Sequence, residues 1–132
     1  MERLHRIALA ALLACFAVVP AFAQQHEAAV ATANAVLDRL DAGEFEAATT
    51  DFNAQMKAGL GADKLAAVQQ QLDSAGAVQS RGEPQVSQRD GFTLVVVRIQ
   101  RALAALDATV AIDGDGKVAG LHFAPAATGD AK

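Results

Sequence analysis

The sequence predicts an α+β fold, in which N-terminal helices pack on a curved, cone-like, four-stranded antiparallel sheet. In the first half, apolar residues recur at every third or fourth position, as on one face of a helix. After Gly76, apolar and polar residues alternate, as in strands that bury one face. Helices followed by a run of strands are the element order typical of this fold class.

Residues 1–23 have the three parts of a secretory signal peptide. Arg3 and Arg6 give a basic start, residues 7–19 form an unbroken apolar run, and Ala21-Phe22-Ala23 provides the small-residue cleavage site. The run is too short to cross a bilayer, which needs roughly 20 residues. We expect cleavage after Ala23 and export of the bacterial chain to the periplasm or medium.

A lipoprotein is the alternative to soluble export, because Leu12-Leu13-Ala14-Cys15 loosely resembles a lipidation site. Cys15 is the sole cysteine, so cleavage after Ala23 would remove thiol catalysis, disulfides and Cys-ligated zinc from consideration. The processed chain of roughly 110 residues is long enough for one modest core, and we expect residues 24–125 to form one α+β domain. We expect residues 126–132 to be a disordered tail.

The composition of the processed chain argues against several classes of partner. Loss of Glu2, Arg3 and Arg6 changes 15 acidic and 11 basic residues to 14 and 9, a formal net charge of −5 instead of −4. An acidic domain without Trp or Tyr has little to offer a phosphate backbone or a stacked base, so we expect no nucleic-acid binding. No second apolar run is long enough to span a membrane, and no phosphate loop or other cofactor motif is present.

Three helices are expected in the first half. The apolar positions of the first run from Val30 to Leu40, and Ala42-Gly43 ends it because Gly can adopt the left-handed conformation. The second begins near Glu44, with an apolar stripe at Phe45, Ala48, Phe52 and Met56. The third covers residues 62–75, with Leu65, Val68 and Leu72 inward and Gly76 at its end.

Four strands are expected in the second half. Residues 77–89 form a weak strand interrupted at Gly82-Glu83-Pro84, and Asp90-Gly91 gives a tight hairpin into the apolar strand 92–101. The remaining two strands cover residues 106–113 and 117–124. The 92–101 strand has hydrophobic side chains on both faces, which predicts that both faces are covered.

Asp113, Gly114, Asp115 and Gly116 could begin a calcium loop or form a strand-to-strand turn. A helix-loop-helix calcium site needs a bidentate Glu at its twelfth position, where this chain has Ala124, and its flanking segments are strand-like. We therefore predict a turn and no metal site here. Nor do the histidines form a zinc set, because only His26 and His122 follow the predicted cleavage point.

The candidate catalytic groups lack partners in the sequence. No serine lies in a nucleophile elbow, and Arg98 and Arg101, three apart in a strand, are expected to be surface charges on opposite faces. Asp38, Asp51 and Asp107 lie close to apolar stripes, so one of them could be a buried base. For ligand binding we select four residues of the strands: Phe92, Val96, Arg98 and His122.

Three segments resemble the family called domain of unknown function 3887. They are "LDAGEFEAATTDFNAQMKAGL", "ADKLAAVQQQLDSAGAV" and, most specifically, "ATVAIDGDGKVAGLHFAP". The resemblance implies a fold like those of nuclear transport factor 2 and ketosteroid isomerase. The family has no established catalytic residues, so it implies none here.

Three functions stay open on the sequence. The first is an exported, non-catalytic domain that binds a small apolar ligand or a protein partner on the concave sheet face, with homodimerisation through the sheet as one way to cover it. The second is a small isomerase- or hydrolase-like enzyme that uses a pocket carboxylate. The third, implied by the resemblance, is a module that contacts a separate hydrolase.

Overall fold

The computed structural model describes residues 21–126 and confirms the α+β fold, with helices first and a curved antiparallel sheet after them. The predicted signal peptide lies outside the described residues up to position 20, as does the predicted tail from position 127. The helices are α1 (Ala21–Asp41), α2 (Phe45–Ala48), α3 (Ala54–Gly59) and α4 (Ala62–Asp73). The strands are β1 (Val78–Arg81), β2 (Gln85–Arg89), β3 (Phe92–Arg101), β4 (Ala105–Ile112) and β5 (Val118–Pro125).

Helix α1 is the main cover of the sheet. Its buried side chains recur at helical spacing and join the central core: Ala29, Ala33, Val36, Leu37 and Leu40. Gly43 follows with a φ of +74°, which is the left-handed ending expected from the sequence.

The single second helix expected near Glu44 is wrong, because the chain breaks between α2 and α3. Phe52 is extended and only 2% exposed, and it forms a bridge to Val118 at the start of β5. Asn53 then caps α3, its side-chain oxygen accepting from the Met56 backbone N–H at 2.8 Å. A contact with a distant strand and a local cap therefore override a continuous apolar stripe.

The sheet has five strands rather than the expected four. The order is β1-β3-β4-β5, and β2 pairs with the other half of β3, so β1 and β2 are two pieces of one edge. The break between them falls at the predicted Gly82-Glu83-Pro84, where proline removes a ladder donor. The extra strand thus arises from an interruption that the sequence signalled.

Two tight turns hold the meander in register. Asp90 and Gly91 have φ values of +52° and +83°, so both central residues of the β2–β3 hairpin are left-handed as predicted. Residues 113–117 join β4 to β5. Of the helices described, none is long and apolar enough to cross a membrane.

The helices cover one face of the sheet. Along β3, Val95, Val97 and Ile99 are buried against them, while the intervening side chains face the other way and are half-buried or exposed. The inward side chains of β4 and β5 complete this layer: Ala108, Val110, Ile112 and Val118 are buried, and Leu121 and Phe123 pack beside them. We call the other side the open face.

Candidate functional site

An apolar groove lies between α4 and β5, on the helix-covered side of the sheet. It encloses about 410 Å³. Six hydrophobic side chains supply most of its lining: Leu60, Val68, Leu72, Leu106, Leu121 and Phe123. Ligand pockets in proteins are typically concave and apolar, with volumes of roughly 300–1,000 Å³.

The groove lies where α4 is incompletely buried against the rest of the fold. Leu65 is the one buried residue of α4 and is fully covered. Val68 and Leu72 follow it by three and seven positions on the same helix face, yet they stay half-buried and line the groove. The C-terminal part of α4 therefore stands away from the edge of the sheet.

Strand β5 forms the opposite wall. Leu121 and Phe123 pair across from Val110 and Ala108, which places them on the inward face. The N–H of Ala126 donates to Ala105 of β4, so the alternation of the ladder turns Pro125, which has no N–H, toward the free edge. The free edge of β5 therefore lacks a backbone donor at Pro125, beside the groove.

A buried cation lies near the inner end of the groove. Arg101 is only 2% exposed, and its Nη1 donates to the Gly76 carbonyl at 2.8 Å and to Asp73 Oδ1 at 3.4 Å. Its Nη2 lies 3.8 Å from Asp41 Oδ1. The expectation that Arg101 is a surface charge is therefore wrong.

The sequence did contain a signal for the burial of Arg101. Residues 95, 97 and 99 face the helices, and the period of two continues to residue 101. The same alternation places the Arg101 side chain on the helix-covered face. A guanidinium buried there needs carboxylate or carbonyl partners. Arg98 lies on the opposite face of the strand from Arg101, as expected. It is exposed and donates to Asp107 of β4 at 2.9 Å.

The predicted ligand residues do not form one compact site. Val96, Thr109 and His122 lie in one row across β3, β4 and β5 on the open face. Phe92 lies four residues from Val96, about 13 Å along the strand, and is 39% exposed. Of the four candidates, only His122 also borders the groove. Their role in binding, and a homodimer contact on this face, stay predictions.

The three carboxylates weighed as bases lie elsewhere. Asp38 accepts from Arg81, Asp51 from Arg39, and Asp107 from Arg98. No Asp or Glu occurs among the described residues that line the groove. The enzyme alternative thus stays a prediction from sequence, without a carboxylate placed at this site.

The Asp113 turn uses its carboxylate for protein contacts. Oδ1 accepts from the backbone N–H groups of Asp115 at 3.0 Å and Lys117 at 2.9 Å, and Oδ2 accepts from Asn53 Nδ2 at 3.3 Å. The bond from Lys117, followed by the side chain of Asn53, lowers the pKa of Asp113 below its usual value. Within residues 21–126, no three His, Cys, Asp or Glu side chains are grouped so that they could bind a metal.

Comparison with known families identifies a relationship for most of this fold. The model of the family described as "Protein of unknown function (DUF3887)" matches residues 33–121, well over half of the chain. The chain belongs to the DUF3887 family. No curated protein and no solved structure matches it.

The DUF3887 match covers one wall of the groove and the first half of the other, since the groove-lining residues 122–125 lie beyond it. It begins within α1, includes all of α4 and ends at Leu121 in β5. Arg101 and its partners Asp41, Asp73 and Gly76 also lie inside the matched range. The likeness of DUF3887 to the nuclear transport factor 2 group stays a prediction from sequence.

Proposed function

We propose that this protein is an exported binding domain that holds a small, mostly apolar ligand in the groove between α4 and β5. The observation that carries the proposal is the groove of about 410 Å³, whose six large hydrophobic side chains are left only partly covered by the fold. If the groove bound nothing, closing α4 onto β5 would stabilise the protein, because these apolar side chains would then be removed from water. A ligand supplies that missing contact.

The polar groups at the groove support a ligand rather than a flat protein contact. Gln71 and Ser74 border the apolar lining, and Ser74 Oγ donates to the Gln71 carbonyl at 2.6 Å. His122 also borders it, although its side chain lies on the open face. A recessed apolar space with a few polar groups at its border is the usual composition of a small-molecule site. The open face, by contrast, mixes apolar side chains with charged pairs such as Arg98 and Asp107.

Export is the part of the proposal that rests on the signal-peptide pattern. It is compatible with the packing of α1, because Phe22 is 73% exposed and the first buried side chain of the helix is Ala29. Removal of residues 1–23 would leave the core side chains in place. Mass spectrometry of the protein from producing cells should give a mature chain that starts at Gln24. An unprocessed chain that retains residues 1–23 would overturn export, and a chain acylated at Cys15 would indicate a lipoprotein instead of a soluble exported protein.

The binding proposal can be tested with a lipophilic fluorescent probe, N-phenyl-1-naphthylamine, and two tryptophan variants. Val68→Trp places an indole in the groove, whereas Ala67→Trp places it on the exposed side of the same helix. We expect saturable binding by the wild type and by Ala67→Trp. Val68→Trp should bind at least about tenfold more weakly, because its ring occupies the space.

The same experiment has a clear negative result. Circular dichroism melting curves of all three proteins show whether each variant is folded. If the folded wild type does not bind the probe saturably, or if folded Val68→Trp binds as well as Ala67→Trp, the groove is not the ligand site.

A further inference from the structure

A second, much smaller cavity adjoins the inner end of the groove. It has a volume of about 10 Å³, and Leu72, Leu106 and Phe123 line both spaces. Gln69 and Arg101 border the small cavity but not the groove. The small cavity, which we call the chamber, therefore adjoins the groove, and its mostly apolar lining includes the polar residues Asp41, Gln69 and Arg101.

Two residues that border the chamber each have one buried polar atom without a hydrogen-bond partner among the described residues. These atoms are Gln69 Oε1, an acceptor, and Arg101 Nε, a donor. The other ends of both side chains are bonded, since Gln69 Nε2 donates to Asp73 Oδ1 at 3.0 Å and Arg101 Nη1 donates to Gly76 O. Flipping the Gln69 amide would turn its oxygen toward the Asp73 carboxylate, so the unbonded atom of this side chain is the acceptor Oε1.

One unbonded acceptor and one unbonded donor, Gln69 Oε1 and Arg101 Nε, determine which chemical group could bond to both. A single group that satisfied both atoms would have to accept from Arg101 Nε and donate to Gln69 Oε1, and about 10 Å³ is the space of one water-sized group. A hydroxyl meets both conditions. A carboxylate has two oxygens and no donor, and it would also face the Asp41 and Asp73 carboxylates, which already balance the charge of Arg101.

We propose that the ligand of the groove is a linear aliphatic alcohol, its chain along the α4–β5 groove and its hydroxyl in the chamber between Gln69 and Arg101. The proposal rests on the proposed binding function, which it narrows to one ligand class. A trapped water could make the same two hydrogen bonds, so the test must separate a hydroxyl supplied by the ligand from one supplied by solvent.

The test compares three competitors for the naphthylamine probe: 1-decanol, 1-methoxynonane and decanoate. Decanol and the ether have the same number of heavy atoms, but only the alcohol can donate to Gln69 Oε1. We expect decanol to displace the probe about tenfold more tightly than either of the others. The ether is the more hydrophobic molecule, so apolar burial alone would favour it instead.

Two methionine variants on neighbouring positions of α4 locate the effect. Gln69→Met removes the acceptor, and Gln70→Met is the matched control because Gln70 is exposed and borders neither cavity. The tenfold preference for decanol should fall to about threefold or less in Gln69→Met and persist in Gln70→Met. If Gln69→Met does not fold, the wild-type ratio of alcohol to ether decides.

The outcomes separate this inference from the function beneath it. Displacement of the probe by all three competitors with no preference for decanol means that a trapped water satisfies the chamber, and it overturns the alcohol while leaving the groove as a ligand site. Tightest binding by decanoate also overturns the alcohol. Absence of probe binding in the wild type removes the proposed function itself.

Discussion

Helices α1 and α4 cover the same face of the sheet with similar apolar residues, but they are buried to different extents. Helix α1 buries five side chains completely or nearly so, while α4 buries only Leu65 and leaves Val68 and Leu72 half-covered. The small residues Ala29 and Ala33 let α1 approach the sheet closely, and both are buried. Helix α1 thus packs tightly, whereas α4 leaves a groove. Hydrophobic periodicity therefore predicts which face of a helix is apolar, but not how closely the rest of the protein covers that face.

The two sides are also held in different ways. Side-chain packing holds α1, whereas the start of β5 combines the buried Val118 with polar bonds: Asn53 N–H donates to the Val118 carbonyl at 2.9 Å, and Asn53 Nδ2 donates to Asp113. The stability contributed by α1, which we call the sealed side, should therefore respond most to loss of apolar volume. The stability contributed by β5, on the groove side, should respond to changes in hydrogen bonding and pH.

The largest effect is expected for Leu37→Ala in α1. Leu37 is 2% exposed and fully packed, so its truncation should lower the free energy of unfolding by about 3 kcal/mol through lost burial and a residual cavity. Urea unfolding followed by circular dichroism measures this, since the chain has no Trp or Tyr to report by fluorescence.

Leu103→Ala is the matched control for Leu37→Ala. Leu103 is 78% exposed in the β3–β4 connection, so the same truncation should change the unfolding free energy by less than about 0.5 kcal/mol. Equal losses in the two variants would contradict a sealed α1 side.

An intermediate effect is expected for Asp113→Ala, which removes the turn acceptor that positions β5. Loss of the bonds from Asp115 and Lys117 should cost about 1.5 kcal/mol at pH 7. The folded state lowers the pKa of Asp113, so its ionised form adds stability above the unfolded value of about 3.9, and that part is lost as pH falls through the folded pKa. The difference between wild type and variant should therefore shrink from pH 5 toward pH 3.

Urea titrations of both proteins at several pH values measure that change. Asp115→Ala serves as the control, because the backbone N–H of Asp115, not its carboxylate, makes the turn bond to Asp113. A gap between wild type and Asp113→Ala that stays constant across the acid range would show that the carboxylate charge plays no part.

Local signals in the sequence were enough for the elements and turns. The hairpin at Asp90-Gly91 and the break at Gly82-Glu83-Pro84 depend on backbone preferences of the residues themselves, and both occur where predicted. The break at Phe52 depends on a bridge to Val118, 66 positions later, which no local pattern contains. The groove likewise depends on the separation of α4 from β5, which no local pattern contains. The burial of Arg101 differs, because the alternation along β3 did signal it.

The smallest effect separates the two sides most directly, because it repeats the leucine truncation at the groove. Leu72 is half-buried and already borders open space, so Leu72→Ala removes fewer contacts and leaves little new cavity. The free energy of unfolding should fall by about 1 kcal/mol, roughly a third of the loss at Leu37. Urea unfolding under the same conditions compares the two. A loss as large as that of Leu37→Ala would mean that α4 is as firmly packed as α1, and that the groove closes in solution.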